Sequence, residues 1–136
     1  MVASSRGSEG DYSMTQGVNN FAQGTGSVAF GINNDAIGDY SLVFGSSVTN
    51  GQVHSQGIGS LAFGSSEGNA EIASTGNGSQ ANGSASGNGT IESTGIGSHS
   101  SGYSAGGDIL STGNGSFAKG QADSGAIESD GIGASV

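Results

Sequence analysis

The stretch Gly24-Thr25-Gly26-Ser27-Val28-Ala29-Phe30-Gly31 recurs as Gly38-Asp39-Tyr40-Ser41-Leu42-Val43-Phe44-Gly45 and as Gly57-Ile58-Gly59-Ser60-Leu61-Ala62-Phe63-Gly64. In each copy serine is fourth, glycine is eighth, and a small residue lies between two large apolar ones. Successive side chains of an extended strand point to opposite faces. Ser27, Ala29, Ser41, Val43, Ser60 and Ala62 therefore share one face, and Val28, Phe30, Leu42, Phe44, Leu61 and Phe63 share the other. The small set, Ser27, Ala29, Ser41, Ser60 and Ala62 above all, fits the interior of a thin roll. The large set is expected to face out of the protomer.

Working outward, the chain divides before Gly10, Gly24, Gly38, Gly57, Gly76, Gly95, Gly113 and Gly131, at intervals of 14, 14, 19, 19, 19, 18 and 18 residues. The fourth place is serine at Ser13, Ser27, Ser41, Ser60, Ser79, Ser98 and Ser116, and the eighth is glycine at Gly17, Gly31, Gly45, Gly64, Gly83, Gly102 and Gly120. The longer units add a β-branched column, Val53, Ile72, Ile91, Ile109 and Ile127, each followed two places on by serine. A chain with 29 glycines in 136 residues invites a reading as disorder. Two features oppose it. The columns are too regular for low complexity, and no proline is present, although average usage would supply roughly seven. A chain without proline keeps every backbone N–H for hydrogen-bonded ladders.

The period is too short for helical-hairpin repeats. It predicts an all-β fold: a parallel β-roll, or β-solenoid, of about eight coils with 14- to 19-residue repeats over 10–136. Each coil adds about 4.8 Å along the axis. Residues 1–9, with the sole arginine Arg6, precede the first unit and are expected to form a docking arm or flexible tail. The eighth-place glycines, Gly17 to Gly120, are expected at turns needing positive φ or close backbone approach.

Burying one large apolar side chain contributes roughly 1.5–3 kcal/mol, while ordering each residue costs about 1–2 kcal/mol of backbone entropy. A thin monomer has too few large apolar side chains for that balance. A homotrimer meeting along Val28, Phe30, Leu42, Phe44, Leu61 and Phe63 supplies the missing core. Further on, Leu61/Phe63 gives way to Gln80/Asn82, His99/Ser101 and Phe117/Lys119, while the second place alternates Ile58, Asn77, Ile96, Asn114, Ile132. The seam is expected to shift there to the second-place column and to the Val53–Ile127 column, within one continuous roll.

GTGSVAFG, GDYSLVFG and GIGSLAFG, over Gly24–Gly64, resemble the head repeats of YadA-like trimeric autotransporter adhesins, which follow GxxSxAxG at about 14 residues per coil. From Gly10 to Gly64 the likeness is good; from Gly76 it weakens as the units lengthen. It implies a left-handed parallel β-roll, a trimer, and attachment to extracellular matrix or host surfaces. Rolls in bacteriophage tail fibres and virion surface proteins are similar. The adhesin plan also needs a signal peptide, neck, coiled-coil stalk and anchor, and no heptad run is present. The chain is thus expected to be either a fragment or a complete small protein docked on a larger assembly. Met1, and the lack of an apolar segment before Glu9, favour a phage virion component at the virion surface over a bacterial cell-surface adhesin.

The net charge of −9, with only Arg6 and Lys119 as cations, opposes nucleic-acid binding. No stretch reaches the roughly twenty apolar residues of a membrane span, and without cysteine there is no thiol or disulfide chemistry. His54 and His99 stand in different columns and read as surface residues. Asp11 and Asp39 suit turns. Gly106-Gly107-Asp108 only faintly echoes calcium-binding nonapeptides. The Gly-x-Gly-Ser turns lack the lysine and helix of a phosphate loop, and Thr75, Thr94 and Thr112 make one column where a flat ice-binding array needs two. No catalytic group, cofactor or metal is expected. Tyr12, Tyr40 and Tyr103 are the candidate ligand contacts, with Phe21 and Phe117 as further exposed aromatics. Capsid or fibre proteins, or a host-surface protein or glycan, are the expected partners.

Overall fold

The computed structural model describes residues 7–136. Every strand is short, because glycine-containing turns interrupt the chain each half-coil. In chain order they are β1 (Gly7–Ser8), β2 (Met14–Val18), β3 (Phe21–Ala22), β4 (Val28–Ile32), β5 (Asn34–Ala36), β6 (Leu42–Thr49), β7 (Gln52–Ser55), β8 (Leu61–Gly68), β9 (Glu71–Ser74), β10 (Gln80–Gly87), β11 (Thr90–Ser93), β12 (His99–Ala105), β13 (Asp108–Ser111), β14 (Phe117–Ala122) and β15 (Ala126–Ser129). The odd-numbered strands stack in sequence order into one parallel sheet and the even-numbered strands into a second. The fold is an all-β solenoid whose two sheets face each other across a narrow interior. Like residues stack on like: Phe30 on Phe44 on Phe63, and Gly45 on Gly64, Gly83, Gly102 and Gly120.

Residues 1–6, most of the expected arm including Arg6, lie outside the described residues. The sheet begins earlier than the unit boundary at Gly10, because Gly7–Ser8 already pairs with Phe21–Ala22.

Each Gly-x-x-Ser turn closes with the serine N–H donating to the unit-opening glycine, as in Ser60 N–H to Gly57 O at 3.1 Å. Its third residue is left-handed, at φ 64° for Gly59 and, unusually for a large side chain, 57° for Tyr40. The second place alternates for a reason visible here. Asp39, Asn77 and Asn114 accept the N–H of Thr25, Ile58 and Ile96 in the preceding coil, at 2.8, 3.0 and 3.0 Å.

The even sheet turns Ser27, Ala29, Ser41, Val43, Ser60 and Ala62 inward, all essentially fully buried. Two expectations are corrected. The eighth-place glycines are not in turns: Gly17, Gly31, Gly45, Gly64, Gly83, Gly102 and Gly120 lie within strands of the even sheet. Nor does the Val53–Ile127 column join an outer seam. Val53, Ile72, Ile91 and Ile109 are buried inside the protomer, with Ile127 packed against them. The two errors have one cause. In this thin interior the branched aliphatics of the odd sheet each face a residue with no side chain, Val53, Ile72, Ile91, Ile109 and Ile127 against Gly45, Gly64, Gly83, Gly102 and Gly120. A Cβ added at Gly83 would lie 2.9 Å from Ile91 Cδ1 and collide with Gly102 O, and φ there is 145°, a region open essentially to glycine. The glycine column is the hole and the isoleucine column fills it.

In the 14-residue coils Asn20 and Asn34 occupy the isoleucine place, Asn34 standing directly below Val53. Asn34 Nδ2 donates to Phe30 O at 2.7 Å and Gly45 O at 2.8 Å, Asn20 makes the equivalent bonds to Gln16 O and Gly31 O, and Asn20 Oδ1 accepts the N–H of Asn34 at 3.0 Å. The serines follow the same division. In the long coils Ser55–Ser60, Ser74–Ser79, Ser93–Ser98 and Ser111–Ser116 pair across the interior at 2.5–2.7 Å. Where the partner place holds alanine (Ala22, Ala36 or Ala134), the remaining hydroxyls of Ser27, Ser41 and Ser129 are buried without a hydrogen bond.

Candidate interaction faces

The outer face of the even sheet carries the proposed seam. Val28, Phe30, Leu42, Leu61 and Phe63 are half-buried on it and Phe44 is 37% exposed. The phenylalanine rings stack in register, Phe30 on Phe44 with centroids 4.9 Å apart and Phe44 on Phe63 at 5.4 Å, tilted by only 13° and 6°. Met14, Val18 and Ile32 extend the patch toward the first coil, all exposed. Beyond Phe63 the same columns turn polar. Asn82 Nδ2 and His99 Nε2 are 3.4 Å apart, and His99 packs on Phe117 at 5.0 Å. Partial burial, and then the charge of Lys119, lower the His99 pKa, so this end of the stripe is neutral apart from Lys119 at neutral pH.

The outer face of the odd sheet is acidic. Asp35, His54, Ala73, Glu92, Leu110 and Glu128 form one column, with Gln52, Glu71, Thr90, Asp108 and Ala126 beside it. His54 is buried there, with Nε2 3.3 Å from Glu71 Oε1. Desolvation lowers its pKa against the opposing pull of Glu71 and Asp35. Burial raises the Glu92 pKa, and Glu71 and Asp108 add to it. Among the described residues no group of three or more His, Cys, Asp or Glu is placed to hold a metal ion, and no helix is long and apolar enough to cross a membrane.

The candidate ligand contacts separate. Tyr12 and Tyr40 share a turn corner two coils apart, 95% and 68% exposed. The Tyr40 ring lies over Gly26 of the preceding coil. Ile58, Ile96 and Ile132 continue that corner as exposed side chains. Tyr103 is instead on the outer face of the even sheet, paired between Ser84 and Gln121.

At the opposite edge is a feature the column reading missed. Asn19, Asn33, Asp35, Thr49, Asn50, Gly51 and Gln52 line an open cavity of about 460 Å³. Asn19 and Asn33 are left-handed turn residues at φ 56° and 55°, a role asparagine tolerates. The signal was present in the doublets Asn19-Asn20 and Asn33-Asn34, which recur 14 residues apart. Indexing the unit by glycine and serine alone passed over them.

The chain matches no family model, no curated protein and no solved structure.

Proposed function

We propose that the chain is a non-catalytic homotrimeric β-roll that builds or decorates a biological surface: a bacteriophage virion component, as capsid decoration or fibre, exposed for attachment. The observation that carries this reading is the stacked stripe of Val28, Phe30, Leu42, Phe44, Leu61 and Phe63 on the outer face of the even sheet. Its spacing repeats every coil, along the roll axis. A stripe parallel to that axis is matched in register by further copies of itself rotated about a parallel axis, which is the relation in a cyclic homo-oligomer. Burying the stripe there removes from water the largest side chains that the thin interior cannot take.

The eight-coil length and the left-handed sense belong to this proposal. The GxxSxAxG likeness over Gly10–Gly64 favours a second setting for the same trimer, the head of a YadA-like bacterial adhesin binding host matrix or glycans. Antibody labelling of purified particles and of the producing cells separates the two. Stoichiometric label on particles supports the virion reading, label on the cell envelope supports the adhesin, and protein free in solution contradicts both.

A further inference from the structure

The cavity at the Asn19 edge is a product of the repeat-length change. Pairing between the second and third coils stops at Ile32↔Ser46 on the even sheet and resumes at Asn34↔Val53 on the odd sheet. Residues 47–52 of the longer coil thus overhang the shorter one with no strand beneath them. The coil that follows pairs with the extension as far as Thr49 and again from Gln52, so the step is a single ledge. Asn19 and Asn33 form its floor, and Thr49, Asn50, Gly51 and Gln52 its overhang. The floor is held in place: Asn19 Nδ2 donates to Asn33 Oδ1 at 2.8 Å, and Asn33 Nδ2 reaches up to Ser47 O at 2.8 Å.

We propose that this ledge binds a neutral polyhydroxylated ring, a single sugar residue of a surface glycan. The inference rests on the reading of the chain as a surface-attachment protein and names the ligand class that its edge would take. The volume lies within the range of roughly 300–1,000 Å³ usual for small-molecule sites. The lining offers amide donors and acceptors from Asn33, Asn50 and Gln52, a hydroxyl from Thr49, and the Asp35 carboxylate. A carboxylate has about four acceptor positions, enough to take hydroxyl protons of a sugar besides its contacts within the protein. This set matches adjacent hydroxyls, which donate and accept in turn. Anionic ligands are disfavoured, because among the described residues no Lys or Arg lines the ledge and the chain carries a net charge of −9. Among the described residues Asp35 is the only carboxylate in the lining, too few for a divalent cation, which takes several oxygen ligands and usually more than one charge.

The test is an amide-resolved NMR titration of the full chain with methyl glycosides of neutral hexoses and N-acetylhexosamines, with sialic acid, inorganic phosphate and calcium ion as controls. At least one neutral glycoside should shift the amides of Asn33, Asn50 and Gly51 with millimolar saturation, while the controls leave them in place. Asp35→Asn and Gln52→Ala should each weaken that binding about tenfold, equivalent to roughly 1.4 kcal/mol, and Glu128→Gln, outside the ledge, should not. Gln52 is exposed at the rim, so its variant keeps the test valid if Asp35→Asn alters the circular dichroism spectrum. Silence of the ledge toward every neutral glycoside, equal response to the anions, or unchanged binding by Gln52→Ala overturns the inference. Light scattering on the same samples keeps the two readings apart. A silent ledge on a trimer removes the glycan site and leaves the surface trimer, whereas a responsive ledge on a monomer does the reverse.

Discussion

The two 14-residue coils and the 18- to 19-residue coils solve one packing problem in opposite ways. Across from the even-sheet glycines the short coils place Asn20 and Asn34, whose amides bond back to the strand carbonyls. The long coils place Val53, Ile72, Ile91 and Ile109, buried and without polar atoms. Phe30, Phe44 and Phe63 cover the even sheet near the short coils, and Gln80, Asn82 and Ser101 take over further on. The outer stripe belongs to both regions: Val28 and Phe30 stand on a 14-residue coil, Leu42, Phe44, Leu61 and Phe63 on the first two 19-residue coils, and from Gly76 onward an isoleucine interior goes with a mostly polar outer strand. In the trimer proposed above, the coil of Phe30, with Asn34 inside, draws its hydrophobic stabilisation from neighbouring chains, whereas the coils of Phe44 and Phe63 add that contact to the buried Val53 and Ile72.

Substitutions on the two sides of this division break or sharpen it. The largest effect is expected from Gly83→Ala, where positive φ and the collision with Gly102 O act together. Strain of roughly 1–3 kcal/mol and overpacking of similar size predict a loss of about 2–6 kcal/mol in denaturant unfolding. Ile91→Ala, which empties the hole from the other side, should cost about 2–5 kcal/mol. Asn34→Ala should cost less, about 1–3 kcal/mol, by leaving the Phe30 and Gly45 carbonyls without their amide donor. If Asn34→Ala proves as damaging as Ile91→Ala, the asparagine ladder matters more to the protomer than this division allows.

These positions also mark what was legible in the sequence. Alternation in Val28-Ala29-Phe30 and its copies gave the strand, the inward set and the outward set, because one residue type per column is what parallel stacking demands. Two assignments were out of reach for a common reason. Gly83 and Ile91 are eight residues apart and face each other only once the two sheets are closed, so a column read alone looks like a turn glycine or a surface isoleucine. The ledge was hidden because its floor column, Asn19 and Asn33, lies outside the glycine and serine places that index the unit, and its overhang exists only where two repeat lengths meet.

Two smaller effects sharpen the comparison. Ala36→Ser would give the buried Ser41 hydroxyl the partner that Ser60, Ser79 and Ser98 already have. Thermal unfolding should show a gain of about 0.5–1.5 kcal/mol, the usual net worth of one hydrogen bond, and a loss would place the serine pairing outside the stabilising contacts. Glu92→Gln probes the acidic face. The Glu92 pKa is raised above its ordinary value of 4.5 in the folded chain, so the fold holds that proton more tightly than the unfolded chain. Wild-type stability therefore falls as pH rises through 4.5 and on through the raised value. The variant should unfold at a higher temperature than wild type at neutral pH, and the difference should vanish below the ordinary value. A difference independent of pH would contradict this account of the face.

The central claim is that the stacked phenylalanines bury themselves against copies of the same chain. Light scattering on the wild-type chain and on Phe44→Ser measures it most directly. Three times the 13.0 kDa protomer mass for wild type, with a lower mass for a Phe44→Ser variant that keeps its strand signature, is the predicted result. A wild-type mass of one protomer, or a trimer that Phe44→Ser leaves intact, would contradict it.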